Sequence, residues 1–208
     1  MEERERLVYF SSDVIKAFCE RNPITWGDSK KANGPGNILT PSPAMGVFFS
    51  CLRNKKKLFT QQEYANYAWD IWSNWKDELT EEQIEGLTIR LYRNFYVSAI
   101  DSLHAWSLLI ETGKFDYCLL DTTDDAVSKQ DISAWTKDGI HIGIALFIAS
   151  ESSKRWVKYK REHRGAPNKE TIDVPLSMDR PRSPGNKRWY SIDDFDPVFK
   201  FIDQTREL

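Results

Sequence analysis

No two cysteines in this chain stand at a metal-ligand or redox spacing. Cys19, Cys51 and Cys118 lie far apart, and there is no CxxC pair. A zinc site or a dithiol reaction is therefore not expected. An odd count of cysteines fits a reducing compartment, so a cytoplasmic location is expected. No apolar run approaches the length of a membrane-spanning helix, and no membrane partner is expected. The charged opening "MEERERLVYF" does not read as a signal peptide. An overall charge is also lacking: 29 Lys and Arg face 31 Asp and Glu, a net −2. Attraction to a polyanion must therefore come from a local patch. The chain has no GxxxxGK[ST], GxGxxG, HExxH or GxSxG. The usual routes to a nucleotide-binding, dehydrogenase, zinc-protease or serine-hydrolase reading are absent. There is no internal repeat or low-complexity tract.

Aromatic residues are plentiful: 13% of 208 residues, with eight Trp, eight Tyr and eleven Phe. The first half reads helical. Ser11 or Ser12 caps a helix that stops at Pro23. Residues 24–43, rich in Gly, Pro, Asn and Ser, read as a long surface loop. "AMGVFFSCLRNKKK" reads as a short helix. Thr60-x-x-Glu63 and Thr80-x-x-Gln83 are capping boxes. After the first box, Tyr64, Tyr67, Ala68, Ile71, Trp72 and Trp75 recur at spacings of three and four, as one apolar face would. A long helix is expected from about Thr88 to Glu111, ended by Gly113. The second half changes period. "FDYCLLD" (115–121), residues 131–136, residues 140–148, "TIDVPL" (171–176) and "KRWYS" read as strands. A helix is expected over "SSKRWVKYKREHRG". A last helix opens with Ser191-x-x-Asp194 and has Pro197 in its first turn. The expected fold class is α+β: a helical N-terminal half (1–87), then an α/β core (88–208) with a small mixed sheet flanked by helices.

Charge is segregated along the second half. Between Glu111 and Asp131 six acids oppose two lysines: Glu111, Asp116, Asp121, Asp124, Asp125 and Asp131 against Lys114 and Lys129. Between Ser153 and Tyr190 eleven Lys and Arg oppose four acids. Acids at strand ends followed by a basic stretch suit a metal-dependent phosphodiesterase. Carboxylate oxygens hold Mg²⁺, and Lys and Arg neutralise phosphates. Trp156, Tyr159, Trp189 and Tyr190 lie among the basic residues, where rings can stack on bases. The plainer reading is that Asp suits turns such as "DTTDD" and that basic helices are solvated faces.

The run from Arg90 to Arg164 resembles the core of the PD-(D/E)XK, or restriction-endonuclease-like, superfamily: helix, strand, hairpin, helix, strand. "RLYRNFYVSAIDSLHAWSLLIE" takes the place of the first helix, "FDYCLLDTTDDA" of the first strand and turn, and "DISAWTKDGIHIGIALF" of the metal-binding hairpin. The resemblance implies that Asp131 is the main metal-binding acid, with Asp121 its rival. It also implies that Asp101 or Glu111 assists from the helix. The usual places of the second acid and the lysine hold Ala145 and Phe147. Either the lysine comes from the next helix, as Lys154 or Lys158, or the chemistry is gone and a binding module survives. Small proteins with a helical region ahead of such a core are similar to components of bacterial antiviral defence or mobile-element systems.

Two readings follow. One is a non-catalytic, nucleic-acid-associated subunit with a nuclease-like fold and protein partner subunits, binding DNA in preference to RNA. Its contacts would be Lys154, Arg155, Lys158, Arg161, Arg164, Arg180, Arg182, Lys187 and Arg188. The other is a Mg²⁺-dependent nuclease, with Mg²⁺ implied only in that case. Trp69, Trp72 and Trp75 suggest a docking surface in the first half, because a chain this size does not easily bury every ring. His104 follows Asp101 by three residues, within reach on a helix. His141 faces the same side of its strand as Gly143, Ala145 and Phe147. His163 ends the basic helix.

Overall fold

The computed structural model describes residues 7–28, 30, 44–120, 131–150, 155, 171–182 and 185–207. The chain divides into two compact units. One comprises residues 1–100 together with 184–186, and the other comprises residues 101–183 and 187–208.

The first unit is helical. Ser11 accepts the Val14 N–H and opens α1 (Ser12–Arg21). Residues 29 and 31–43, most of the long loop expected from the sequence, lie outside the described residues. The apolar stretch that follows forms α2 (Ala44–Lys55). Thr60 opens α3 (Gln61–Ile71), and Thr80 opens α5 (Glu81–Arg90) after the short α4 (Ser73–Lys76). Both threonines make the reciprocal bonds of a capping box, which satisfies two N–H groups that a helix start leaves open. A π-helical stretch, Leu91–Tyr96, follows α5 directly and leads into α6 (Val97–Glu111).

The expected helix start at Thr88 is therefore not a start. The Thr88 hydroxyl donates to Ile84 O at 2.8 Å, so it bonds back along an existing helix and caps nothing. The change of unit lies between Ile100 and Asp101, inside this helical run. Glycine and proline do not mark it.

The core of the first unit is aromatic. Phe48 lies 4.7 Å from Phe59, 5.6 Å from Tyr64 and 5.8 Å from Tyr96, ring centre to ring centre. The two tyrosine hydroxyls donate to Ala44 O and Phe59 O, so these buried rings carry no unsatisfied donor. The buried face of α3 is Gln61, Tyr64, Ala65 and Ala68, with Trp72 at its C-cap. Ile71 falls outside it and is 50% exposed. Of Trp69, Trp72 and Trp75, expected to form a docking surface, two are engaged inside this unit. Trp72 is buried, and Trp69 donates to Thr88 Oγ1 at 3.0 Å.

Gln61 is a polar clamp in this core. Its Oε1 accepts the Thr25 N–H at 2.7 Å. Its Nε2 donates to Thr25 O and to Tyr92 O of the π-helical stretch, both at 3.0 Å. Gln61→Leu keeps the volume but strands three backbone groups. It is expected to cost about 2–4 kcal/mol, read from the shift of a urea unfolding midpoint.

The second unit holds a four-stranded mixed sheet in the order β1 (Phe115–Leu119), β2 (Ile132–Thr136), β3 (His141–Ile148), β4 (Thr171–Leu176). β1–β2 and β2–β3 are antiparallel, and β3–β4 is parallel. The hairpin turn passes through Gly139 at φ +85, a conformation that suits a residue without Cβ. One face carries Cys118, Ile132, Ala134, Ile142, Ile144, Val174 and Leu176, all buried. The other carries Tyr117, Trp135, His141, Ala145, Phe147 and Asp173.

Lys187 to Ser191 form no strand, contrary to the reading of "KRWYS". Lys187, Trp189 and Tyr190 are all buried, so the two-residue alternation of a strand is broken. Ser191 and Asp194 form their capping box at a 3₁₀ turn, Ile192–Phe195. It leads into α7 (Asp196–Arg206), with Pro197 in the first turn. The fold is thus α+β, with a small mixed sheet flanked by helices. Among the described residues no helix is long and apolar enough to cross a membrane.

Candidate functional site

Two of the four acids expected to bind metal, Asp131 and Asp101, meet an internal partner. Asp131 stands where β2 begins. Its carboxylate accepts the Leu146 N–H of β3 at 2.7 Å, and its own N–H donates to Ile144 O. The side chain thus continues the β2–β3 ladder past the end of β2. Asp101, on α6, pairs with the Lys187 ammonium in the interior. Asp101 is 8% exposed and Lys187 1%. Burial pushes the Asp101 carboxyl above its ordinary range, and the nearby Lys187 charge pulls it partly back.

Tyr190 draws these groups into one neighbourhood. Burial pushes its hydroxyl far above the usual range. Asp101, Asp131 and Asp194 push the same way, because negative charge opposes a phenolate. The hydroxyl donates to Phe147 O at 3.4 Å. Asp194 in turn receives both ends of the Arg180 guanidinium, at 2.6 and 2.7 Å. Arg180 also donates to Trp189 O and Ser191 Oγ, and Arg188 Nε donates to Met178 O and Arg180 O. His104 is fully buried, its ring centre 4.8 Å from that of Trp189.

No known protein family, curated protein or solved structure matches this chain. Function must therefore be read from the geometry.

Of the acids expected to bind metal, Asp101 and Glu111 are ten residues apart on one helix. At 1.5 Å per residue that is about 15 Å, too far to share a cation. Asp101 already holds Lys187, and Glu111 is exposed at the C-terminal end of α6. Among the described residues no three of His, Cys, Asp and Glu come together as a metal shell. Asp121, Lys154, Lys158, Arg161 and Arg164 lie outside the described residues, as do Asp124, Asp125 and His163.

The basic group is likewise divided. Lys187 is buried, and Arg180 and Arg188 secure the loop that precedes the 3₁₀ turn. Arg155 is helical and exposed, and Arg182 is exposed.

Sequence reasoning missed Asp173. It is the register partner of Ala145 across the parallel β3–β4 pair, so it lies beside Ala145 and on the same face. "TIDVPL" shows an acid in a strand, but parallel register is set by tertiary pairing and has no local signal. The three thiols are buried, and burial pushes Cys51 up to about 11 and Cys118 up to about 12, so neither is a nucleophile at neutral pH.

Proposed function

We propose that this chain is a nucleic-acid-associated protein of nuclease-like architecture that holds its ligand without cutting it, as a subunit of a larger assembly. One observation carries this reading: two of the candidate metal-binding acids are matched internally, Asp131 of the hairpin by the Leu146 N–H and Asp101 of α6 by Lys187. A hydrolytic centre needs carboxylates that converge on a metal and a cation aimed at the developing charge. Here Ala145 is buried at the place of the second acid, and Lys187 faces inward. The exposed Arg155 and Arg182 belong to the strongly basic part of the chain, which supports association with a polyanion.

The experiment incubates the protein with DNA and with RNA in Mg²⁺ or Mn²⁺, beside Asp131→Asn. An Asn side-chain oxygen still accepts the Leu146 N–H, so the variant is expected to keep its fold. Binding that weakens steeply with salt, with intact nucleic acid throughout, is the expected result. Cleavage by the wild type that disappears in Asp131→Asn would sink the non-catalytic reading. Absence of binding at about 50 mM salt would sink the association itself.

A further inference from the structure

We propose that the start of β1 is a binding site for single-stranded nucleic acid, with a phosphate seated in a cavity ringed by Lys114, Lys137 and Arg206 and a base stacked on Tyr117. The inference rests on the nucleic-acid reading above and names the site and the form of ligand.

The cavity has a volume of about 260 Å³, and its cations come from three elements. Lys114 immediately precedes β1, Lys137 lies in the β2–β3 turn, and Arg206 closes α7. Strand register explains the first two: Phe115 pairs with Thr136, so their neighbours Lys114 and Lys137 meet at one end of the sheet. Phe199 and Ile202 of α7 supply apolar lining. The Lys114 ammonium sits 4.2 Å from the Phe199 ring centre.

Arg206 is held in place by Asp138, with bonds of 2.6 and 3.1 Å. Asp203, also in the lining, lies 4.0 Å from Arg206. Among the described residues neither Lys114 nor Lys137 has an ion-pair partner. Three cations against two acids leave the cavity positive, and both lysines are exposed. A concave site with two ammonium groups that have no ion pair among the described residues, one of them resting on the Phe199 ring, and an oriented guanidinium suits a phosphate.

Tyr117 makes the ligand a nucleic acid and not a bare anion. It lies three residues on from Lys114, at most about 10 Å away, past a bulge between Phe115 and Tyr117. Among the described residues β1 is an edge strand, and Tyr117 is 43% exposed. Its ring is the outer end of a row that crosses three strands: Tyr117 to Trp135 at 5.5 Å, and Trp135 to His141 at 4.3 Å. A base placed on the open side of Tyr117 extends that row. Only an unpaired base can do so, because duplex bases are already stacked on each other.

The test measures binding of a labelled oligo-dT by fluorescence anisotropy across a salt series, with the same strand in duplex form and inorganic phosphate as competitors. Tyr117→Ala is expected to weaken binding about tenfold, while Tyr117→Phe, which keeps the ring, binds as the wild type. The double variant Lys114→Gln, Lys137→Gln, which leaves the one seated phosphate without its lysines, is expected to flatten the slope of log affinity against log salt by about 0.7. Its substitutions are exposed, so it carries the test if Tyr117→Ala does not fold. Wild-type affinity and slope in both variants would overturn this site but leave the association standing. Duplex bound as tightly as single strand would also overturn it. No binding of any nucleic acid by the wild type would overturn both readings.

Discussion

Lys187→Ala is expected to destabilise the protein by about 3–5 kcal/mol, because it leaves the Asp101 carboxylate in the interior with its counter-charge removed. Lys187 is 1% exposed and Asp101 8%, so water cannot substitute for the lost ammonium without local opening. The penalty depends on pH, and its sign follows from Asp101. Burial already raises the folded-state pKa of that carboxyl. A raised folded pKa means that the folded state binds protons more readily than the unfolded chain. This contribution to stability is fully present below the ordinary carboxylate pKa and is lost as pH rises through the raised value. Removing Lys187 takes away the group that pulls the pKa down, so the raise grows. The loss in Lys187→Ala is therefore expected to be largest at neutral pH and to shrink on acidification, read from urea midpoints at several pH values. The double variant Lys187→Met, Asp101→Leu removes both charges and is expected to recover most of the stability. A penalty that stays constant with pH would show that Asp101 is not the group left uncompensated.

Gly185→Ala is expected to cost roughly 3 kcal/mol, from a left-handed backbone that alanine disfavours and from overpacking. Gly185 has φ +69, and a Cβ added there would lie 2.5 Å from Cys19 O, a backbone atom that cannot swing aside. The same segment is bound on both sides: Ile24 N–H donates to Gly185 O at 2.9 Å, and Asn186 Nδ2 donates to Ile24 O at 3.1 Å. Relief of the clash would therefore disturb these bonds too. A drop in thermal midpoint of several degrees is the expected readout. An unchanged midpoint would mean that the turn relaxes freely.

How much of this was legible in the sequence depended on how local the signal was. Thr60 with Glu63, Thr80 with Gln83 and Ser191 with Asp194 spelled out their helix and turn starts, because a capping box is complete within four residues. The hairpin was equally plain, with a Lys-Asp-Gly turn through Gly139 and an almost wholly apolar second strand. Thr88 misled, because the same residue type caps a helix or bonds back within one, and only the preceding turn decides. "KRWYS" misled because aromatic residues favour strands, while here Lys187, Trp189 and Tyr190 are drawn inward one by one. At the hairpin, the sequence showed an acid at the opening of the first strand. That its carboxylate receives the Leu146 N–H could not be read without the partner strand.

By itself, then, the sequence determined the elements: helices first, a hairpin, a final capped helix, and the α+β class that their order implies. These rest on spacings of two, three and four residues, which backbone geometry enforces locally. The tertiary structure decided the partners. It joined Lys187 to Asp101, Asp194 to Arg180, Asp173 to the place beside Ala145, and Lys114 to Lys137 at one end of the sheet. Charges far apart in the chain have no local spacing to announce them. Burial, strand register and the cost of an unmatched charge select which of them meet.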